Sequence, residues 1–167
     1  LSELKPYVSS DLKIAWASKG FNPDDGSLLH EIVAEIFGPT TPSAILSGPT
    51  FAHEVAANLP TAITIASAQP VFSKELSSIL HSGLFRIYTS SDMIGVEVGG
   101  AVKNVLAIAA GIIDGLGFGA NTRAALITRG LNEIIRLGIV LGGKQETFMG
   151  LAGLGDLILT CTDNQSR

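Results

Sequence analysis

Short apolar runs and amphipathic stretches alternate along the first ninety residues of the chain. Runs of branched, aromatic and small apolar residues predict four β-strands, over residues 13–18, 43–47, 61–67 and 85–89. The spacing of apolar positions between these runs predicts helices over residues 28–37, 51–58 and 72–81. Strands that alternate with helices through short turns predict α/β layering, in which some strands could pair antiparallel at an edge.

The pattern changes at Asp92, after which small and aliphatic residues dominate and no alternating run of strand length remains. The spacing there predicts helices over residues 93–113, 121–141, 145–149 and 155–161. The first could be one helix or two that join near Gly99 and Gly100. We therefore predict a domain boundary near residues 90–92, with an α/β domain over residues 1–91 and an all-α domain over residues 92–167.

Composition narrows the range of functions. The chain has 167 residues, 46% of them hydrophobic, which is enough for one ordinary domain or two incomplete ones. Its net charge is −4 and its lysines and arginines are scattered, so we expect no nucleic-acid partner. The longest apolar run, residues 105–113, is shorter than the ~20 residues that a membrane span needs. We expect the single cysteine, Cys161, to be a small buried apolar residue, and it fits a reducing compartment.

The first candidate site is Ser-Gly-Pro-Thr-Phe-Ala at residues 47–52. A predicted strand ends there and a helix begins, with Thr50 as a possible N-cap. Backbone N–H groups at such a helix start, beyond the carboxyl end of a strand, can bind an anion. The segment could equally be a capped turn that binds nothing.

The second candidate is Gly-Gly-Ala-Val-Lys-Asn at residues 99–104, where Lys103 lies on a helix among apolar and very small residues. Burial disfavours a charged ammonium, so Lys103 could take a proton from an alcohol. Paired glycines within a helix suggest that something approaches the backbone closely. Asn104 could orient a hydroxyl or carbonyl oxygen. Alternatively, Lys103 extends along the helix surface to reach water.

The third candidate is Asp156, which follows a glycine-rich turn at the start of an apolar helix. Its carboxylate could cap that helix, or it could lie in a polar cleft and bind substrate hydroxyls.

Two other patterns are dismissed. The string at residues 115–120 fits Gly-x-Gly-x-x-Ala, but predicted helices flank it on both sides, whereas a dinucleotide-binding turn needs a preceding strand. It predicts a helix–helix connection. The histidines His30, His53 and His81 lie far apart without ligand spacing, so no metal site is predicted.

Taken together and in this order, the three candidate segments resemble the bacterial-type NAD(P)-dependent sn-glycerol-3-phosphate dehydrogenase family. Further matching segments are Ala-Ser-Lys-Gly at 17–20, Gly-Phe-Gly-Ala-Asn at 117–121, Thr-Arg-Gly at 128–130 and Thr-Cys-Thr at 160–162. The resemblance implies the C-terminal part of a Rossmann-like NAD(P)-binding domain over 1–91 and the start of a helical substrate domain over 92–167. It also implies a cytoplasmic oxidoreductase that uses NAD or NADP as its cofactor and acts on a small phosphorylated substrate. The same resemblance implies a role in glycerophospholipid synthesis and a homodimer.

The resemblance also assigns roles to residues. It makes Lys103 the proton acceptor that acts on the C2 hydroxyl of glycerol 3-phosphate. Contacts to the substrate are implied for Lys19, Gly48, Thr50, Asn104, Asp156, Thr160, Ser166 and Arg167. Contacts to the cofactor are implied for Lys19, Ala52 and Arg167.

The family's glycine-rich nucleotide turn would precede residue 1, and further helices would follow Arg167. We therefore expect a fragment that is inactive by itself. Two alternatives stay open: a related hydroxyacid or sugar-acid dehydrogenase with a lysine and an asparagine on a long helix, or a non-catalytic helical assembly module.

Overall fold

A computed structural model describes residues 1–9 and 11–163 of the chain. Its strands are β1 (Ile14–Trp16), β2 (Ser43–Ser47), β3 (Thr61–Ala66) and β4 (Phe85–Ser90). Its α-helices are α1 (Leu29–Phe37), α2 (Ala52–Ala56), α3 (Pro70–Leu80), α4 (Met93–Gly115), α5 (Ala120–Val140), α6 (Gln145–Phe148) and α7 (Asp156–Thr162). A 3-10 segment, Ser2–Tyr7, and a π-helical segment, Leu151–Gly155, complete the list. The predicted α/β part followed by a helical part is confirmed.

The four strands form one sheet in the order β1-β2-β3-β4. Strands β1 and β2 are parallel, as are β3 and β4, and each pair encloses one helix as a βαβ unit. Strands β2 and β3 are antiparallel. This antiparallel pair lies in the middle of the described sheet, whereas the sequence pattern allowed for one at an edge. The connection between them holds only the five-residue helix α2, and the chain turns back beside β2 without a full crossover helix.

Each face of the sheet packs against a different set of helices. On one face, Ala44, Ile65 and Phe72 form a buried cluster with helix α3. On the other face, Ile45 packs with Val96 and other residues at the start of α4. This division follows from the two-residue period of a strand, which sends neighbouring side chains to opposite faces.

The helices have a core of their own. It consists of Leu28, Val98, Ala110, Leu131, Ile134, Phe148, Leu157 and Cys161. Cys161 is 5% exposed, which confirms the prediction of a small buried apolar residue. Because the N-terminal half of α4 contributes to this core and to the sheet cluster, α4 joins the two parts of the fold.

Helix α4 runs without a break through Gly99 and Gly100, which settles the choice between one helix and two. Among the described residues it is the one helix whose length and composition would allow it to cross a membrane. That criterion is weak here, because the core helix of a globular domain meets it as well. Glu97 and Lys103 in the first half of this helix have polar partners within the fold, whereas Val105, Ile108 and Ile112 in its second half are exposed.

Several local predictions need correction. Helix α2 is shorter than predicted, and its N-cap is Phe51, without a side-chain cap. Thr50 is not an N-cap, since its hydroxyl donates to the Gly48 carbonyl oxygen at 3.3 Å. The sequence pattern did not predict the π-helical segment before α7. The segment over residues 115–120 is a helix–helix connection, as predicted, with Gly117 at φ +75°.

Candidate active site

The carboxylate of Asp156 lies between the ammonium groups of two lysines. Its Oδ2 accepts from Lys19 Nζ at 2.5 Å, and its Oδ1 accepts from Lys103 Nζ at 2.7 Å. Asp156 is 2% exposed, and the lysine side chains are 21% and 11% exposed for Lys19 and Lys103. Two cations and one anion give this cluster a formal net charge of +1, which suits an anionic ligand.

Three separate elements bring these side chains together. Lys19 lies in the loop that leaves the carboxyl end of β1, and Lys103 lies near the middle of α4. Asp156 is the first residue of α7, directly after the π-helical segment. The N-cap of α7 is Gly155, and the Asp156 carboxylate accepts from the two lysines and does not cap the helix.

The glycine pair of α4 makes this approach possible. A Cβ atom on Gly99 would lie 2.9 Å from the Ala152 carbonyl oxygen in the π-helical segment. A Cβ atom on Gly100 would lie 3.3 Å from both Lys19 Cγ and Ser47 Oγ. The glycines therefore let the segment that precedes Asp156 and the loop that carries Lys19 pack directly on the helix backbone.

Burial and neighbouring charges act on Lys19 in opposite directions. Burial lowers the pKa of its ammonium below the ordinary value for lysine, and the nearby charge of Lys103 lowers it further. The Asp156 carboxylate opposes both effects, but the net direction of the pKa shift is downward.

Thr160 adds a hydroxyl to the cluster. It lies one helical turn after Asp156 on α7, and its hydroxyl donates to the Asp156 carbonyl oxygen at 2.6 Å. The lone pairs that remain on this oxygen accept from Lys103 Nζ at 3.1 Å. Lys103 thus has two fixed acceptors, and one of its three N–H donors is left for a ligand.

The predicted segment at residues 47–52 lies beside this cluster. Ser47 is 1% exposed, and its hydroxyl has no hydrogen-bond partner among the described residues. A Cβ atom on Gly48 would meet the Ala62 carbonyl oxygen at 3.3 Å, so this position is tightly packed against β3. Helix α2 has only five residues, too short for the anion site that was predicted at its start. Ala52, its first residue, is exposed.

The structure does not bring every predicted residue to the cluster. Asn104 is exposed, and its amide makes no hydrogen bond within the described residues. Ser166 and Arg167 lie outside the described residues. The sequence did not reveal that Asp156 pairs with both lysines, because 137 residues separate it from Lys19 and 53 from Lys103. It also gave no indication that the Ser47 hydroxyl is buried without a partner.

Comparisons with known proteins agree with this arrangement. Residues 1–73 match the profile described as NAD-dependent glycerol-3-phosphate dehydrogenase N-terminus, and residues 92–167 match the corresponding C-terminus. The chain is 60% identical over its whole length to glycerol-3-phosphate dehydrogenase [NAD(P)+] of Aeromonas salmonicida, of which it covers 50%.

Solved structures give the same result. The structure of glycerol-3-phosphate dehydrogenase from Coxiella burnetii is 58% identical, with a TM-score of 0.95 over 99% of this chain and 50% of that one. The Saccharomyces cerevisiae enzyme is 32% identical, with a TM-score of 0.87 and the same coverage. The chain thus spans about half the length of the relatives it matches. Both profiles, the whole-chain identity and the structural agreement lead to one conclusion: the chain belongs to the NAD-dependent glycerol-3-phosphate dehydrogenase family.

Proposed function

We propose that this chain carries the catalytic lysine of an oxidoreductase that interconverts sn-glycerol 3-phosphate and dihydroxyacetone phosphate with NAD or NADP. The observation that carries the proposal is the position of Lys103, held by Asp156 and Thr160 with one N–H donor left for a ligand. The relatives with the same fold and site region are named as glycerol-3-phosphate dehydrogenases, which is the same reaction class.

Lys103 is the proposed proton donor and acceptor. In the reductive direction, the Lys103 ammonium would donate a proton to the C2 carbonyl oxygen. In the oxidative direction, neutral Lys103 would take the proton from the C2 hydroxyl. A bound nicotinamide would exchange the hydride. Asp156 and Thr160 orient Nζ in both directions, which lowers the entropy that must be lost to reach the reactive geometry.

Lys19 provides positive charge for the substrate phosphate and for the cofactor. Its Nζ shares the Asp156 carboxylate with Lys103, so a substrate that contacts one ammonium lies near the other. We assign substrate contacts to Gly48, Thr50, Asn104, Ser166 and Arg167 as well, and cofactor contacts to Ala52 and Arg167. A guanidinium suits the phosphate part of this role because it donates two parallel hydrogen bonds.

The described residues fit a nicotinamide cofactor. Ligands of open α/β sheets bind beyond the carboxyl ends of parallel strands, and both Lys19 and Ser47 lie at those ends of β1 and β2. The Ser47 hydroxyl is buried without a partner, as expected where a ligand group completes the hydrogen bond. Glycine at position 100 lets this strand end and Lys19 approach the α4 backbone closely, since a Cβ atom there would lie 3.3 Å from Ser47 Oγ.

The remaining parts of the proposal concern the whole protein. We place the domain boundary at residues 91 and 92, which is supported by the start of the C-terminal profile match at residue 92. We infer a homodimer in the cytoplasm that binds no nucleic acid and contributes to glycerophospholipid synthesis.

The test is oxidation of NADH and NADPH by the full-length gene product in the presence of dihydroxyacetone phosphate. Lys103→Ala should lower kcat by ~10²–10⁴ with folding preserved, because a general acid–base group is lost. Lys13→Ala is the matched control, since Lys13 is exposed and bonds only to Glu75 in the described structure.

Absence of turnover in the wild type would refute the substrate assignment, and a panel of related hydroxyacids would then be tried. Wild-type kcat in Lys103→Ala would refute the catalytic role of this lysine. The faster cofactor would establish the preference between NADH and NADPH.

A further inference from the structure

A second buried polar pair joins the two parts of the fold away from the lysine cluster. Glu97 lies on α4 between Val96 and Val98, both fully buried, and is itself 2% exposed. Its Oε1 accepts from the His30 backbone N–H at 3.0 Å, and its Oε2 pairs with His30 Nδ1. A buried carboxylate requires such partners, because burial without them is costly.

The Glu97 carboxylate also accepts a hydrogen bond from the N-terminus of helix α1. His30 is the second residue of α1, so its N–H is one of the groups that the helix itself leaves unpaired. Glu97 therefore provides, from α4, a negative charge at the N-terminus of α1, where the helix dipole favours it. At the same helix start, the Leu28 N–H donates to Glu31 Oε2 at 2.7 Å.

The loop that carries Lys19 leads directly into the start of α1. The loop between β1 and α1 is closed by short hydrogen bonds, with the Asn22 N–H donating to the Ser27 carbonyl oxygen at 2.9 Å. Two large apolar residues of this loop, Phe21 and Leu28, pack into the helical core. These contacts connect α1 to the part of the loop that begins at Phe21, two residues after Lys19.

Glu97 and Lys103 belong to the same uninterrupted helix. Six residues separate them, a rise of about 9 Å along the axis, so they do not touch but keep a fixed separation. An anchor at Glu97 therefore fixes the α1 start, and the loop before it, relative to Lys103.

We propose that His30 and Glu97 form a positioning pair that holds the loop of Lys19 at a fixed distance from the helix of Lys103. The pair keeps both ammonium groups on one carboxylate, that of Asp156. Neither residue touches the reacting atoms. The inference rests on the proposed function for its kinetic consequence, but its structural claim can be tested without turnover.

The first measurement is the rate at which acetic anhydride acetylates Lys19 in the full-length gene product, followed by mass spectrometry. His30→Ala removes the side-chain partner of Glu97, and His30→Ser, too short to reach it, is a second variant in case the first fails to fold. His30→Asn places an amide nitrogen where Nδ1 was and keeps the hydrogen bond. His81→Ala, at an exposed histidine that follows α3, is the matched control.

We expect Lys19 to be acetylated on the order of tenfold faster in His30→Ala and His30→Ser, because the loop opens more often. The rate in His30→Asn and His81→Ala should stay within about twofold of wild type. Exposed Lys13 serves as the internal reference in every sample. An unchanged Lys19 rate in the alanine and serine variants, or equal acceleration in His30→Asn, would overturn the proposal.

The second measurement separates positioning from stability alone. With dihydroxyacetone phosphate, kcat should fall ~10-fold or more in His30→Ala while KM changes less, and His30→Asn should restore it. A folded alanine variant with wild-type kcat would also overturn the proposal. If the wild type shows no turnover, the proposed function fails, and the acetylation rates alone decide the positioning role.

Discussion

Replacing Asp156 by asparagine tests the electrostatics of the lysine cluster, because it removes the carboxylate charge and keeps the side-chain shape. Each ammonium lies 2.5–2.7 Å from the carboxylate oxygens. At an effective dielectric constant of ~20, one such attraction exceeds about 4 kcal/mol, most of which offsets the desolvation of the buried groups. Removing the anion leaves that desolvation in place and leaves the repulsion between the two cations uncompensated. We expect Asp156→Asn to destabilise the folded protein by about 3–5 kcal/mol at pH 7.

The loss of unfolding free energy in Asp156→Asn should become smaller as the pH rises. Burial already lowers the Lys19 pKa, and the variant removes the carboxylate that raises it. Between the folded-state pKa and the unfolded value of 10.5, the unfolded chain binds more protons than the folded one. Stability therefore rises with pH in that interval, and the deficit of Asp156→Asn should shrink between pH 7 and pH 9.5.

The assay is urea unfolding of the full-length gene product at both pH values, with the wild type and Asp156→Asn side by side. Asp114→Asn is the matched control, since Asp114 forms an ion pair with Arg123 near the surface. Such a pair contributes about 0–1 kcal/mol, so the free energy of unfolding of the control should differ little from that of the wild type. A deficit below about 1 kcal/mol in Asp156→Asn, or one that stays constant with pH, would refute the reasoning.

Two further predictions follow from the structure. Gly99→Ala should destabilise the fold by ~1–3 kcal/mol, because its Cβ would lie 2.9 Å from a backbone carbonyl oxygen. Gly111→Ala on the same helix meets open space and should stabilise the fold by ~0.5–1 kcal/mol. Thermal unfolding compares the two, and equal melting temperatures would contradict the packing argument. The hydrogen bond to Glu97 raises the His30 pKa above 6.5, so the pair's stabilisation is fully present below that pH and is lost as the pH rises through the raised value. The free energy of unfolding, measured from pH 5 to pH 9, should show this loss in the wild type and not in His30→Asn. The same pH dependence in both proteins would contradict the assignment to His30.

The charged groups that act on His30 support this pH dependence. Glu97 faces it from α4 and raises the His30 pKa through a hydrogen bond, which outweighs the lowering effect of burial. Glu31, on α1 itself, raises it further by its charge. Protonated histidine is therefore favoured across a wider pH range than in the unfolded chain.

Much of the fold could be predicted from the sequence. The runs that became β2, β3 and β4 were located to within a residue at each end, because a strand's period of two is written directly in neighbouring residues. The long helices α4 and α5 were located by a different spacing, because apolar positions three and four apart share one helix face. Turn chemistry was less certain: Thr50 had the composition of an N-cap, yet it bonds back to Gly48.

The motifs also marked the right positions for the candidate site, but not the partnerships among them. Lys103 and Asp156 were both singled out, and the resemblance assigned Lys19 a place near substrate and cofactor. That one carboxylate would hold both lysines was not predictable, since the nearest acidic residue in sequence to Lys103 is Glu97. Glu97 pairs with His30 instead, 67 residues away.

The sequence by itself determined the order and approximate positions of the strands and long helices, and which polar residues stand out from an apolar surrounding. These depend on periodicity and composition within a few turns of chain. Only the tertiary structure decided that β3 runs antiparallel to β2, which segments pack on Gly99 and Gly100, and which charges pair. Pairing of charges depends on distances of 3–4 Å between elements far apart in sequence, and those distances exist only once the sheet and helices have packed.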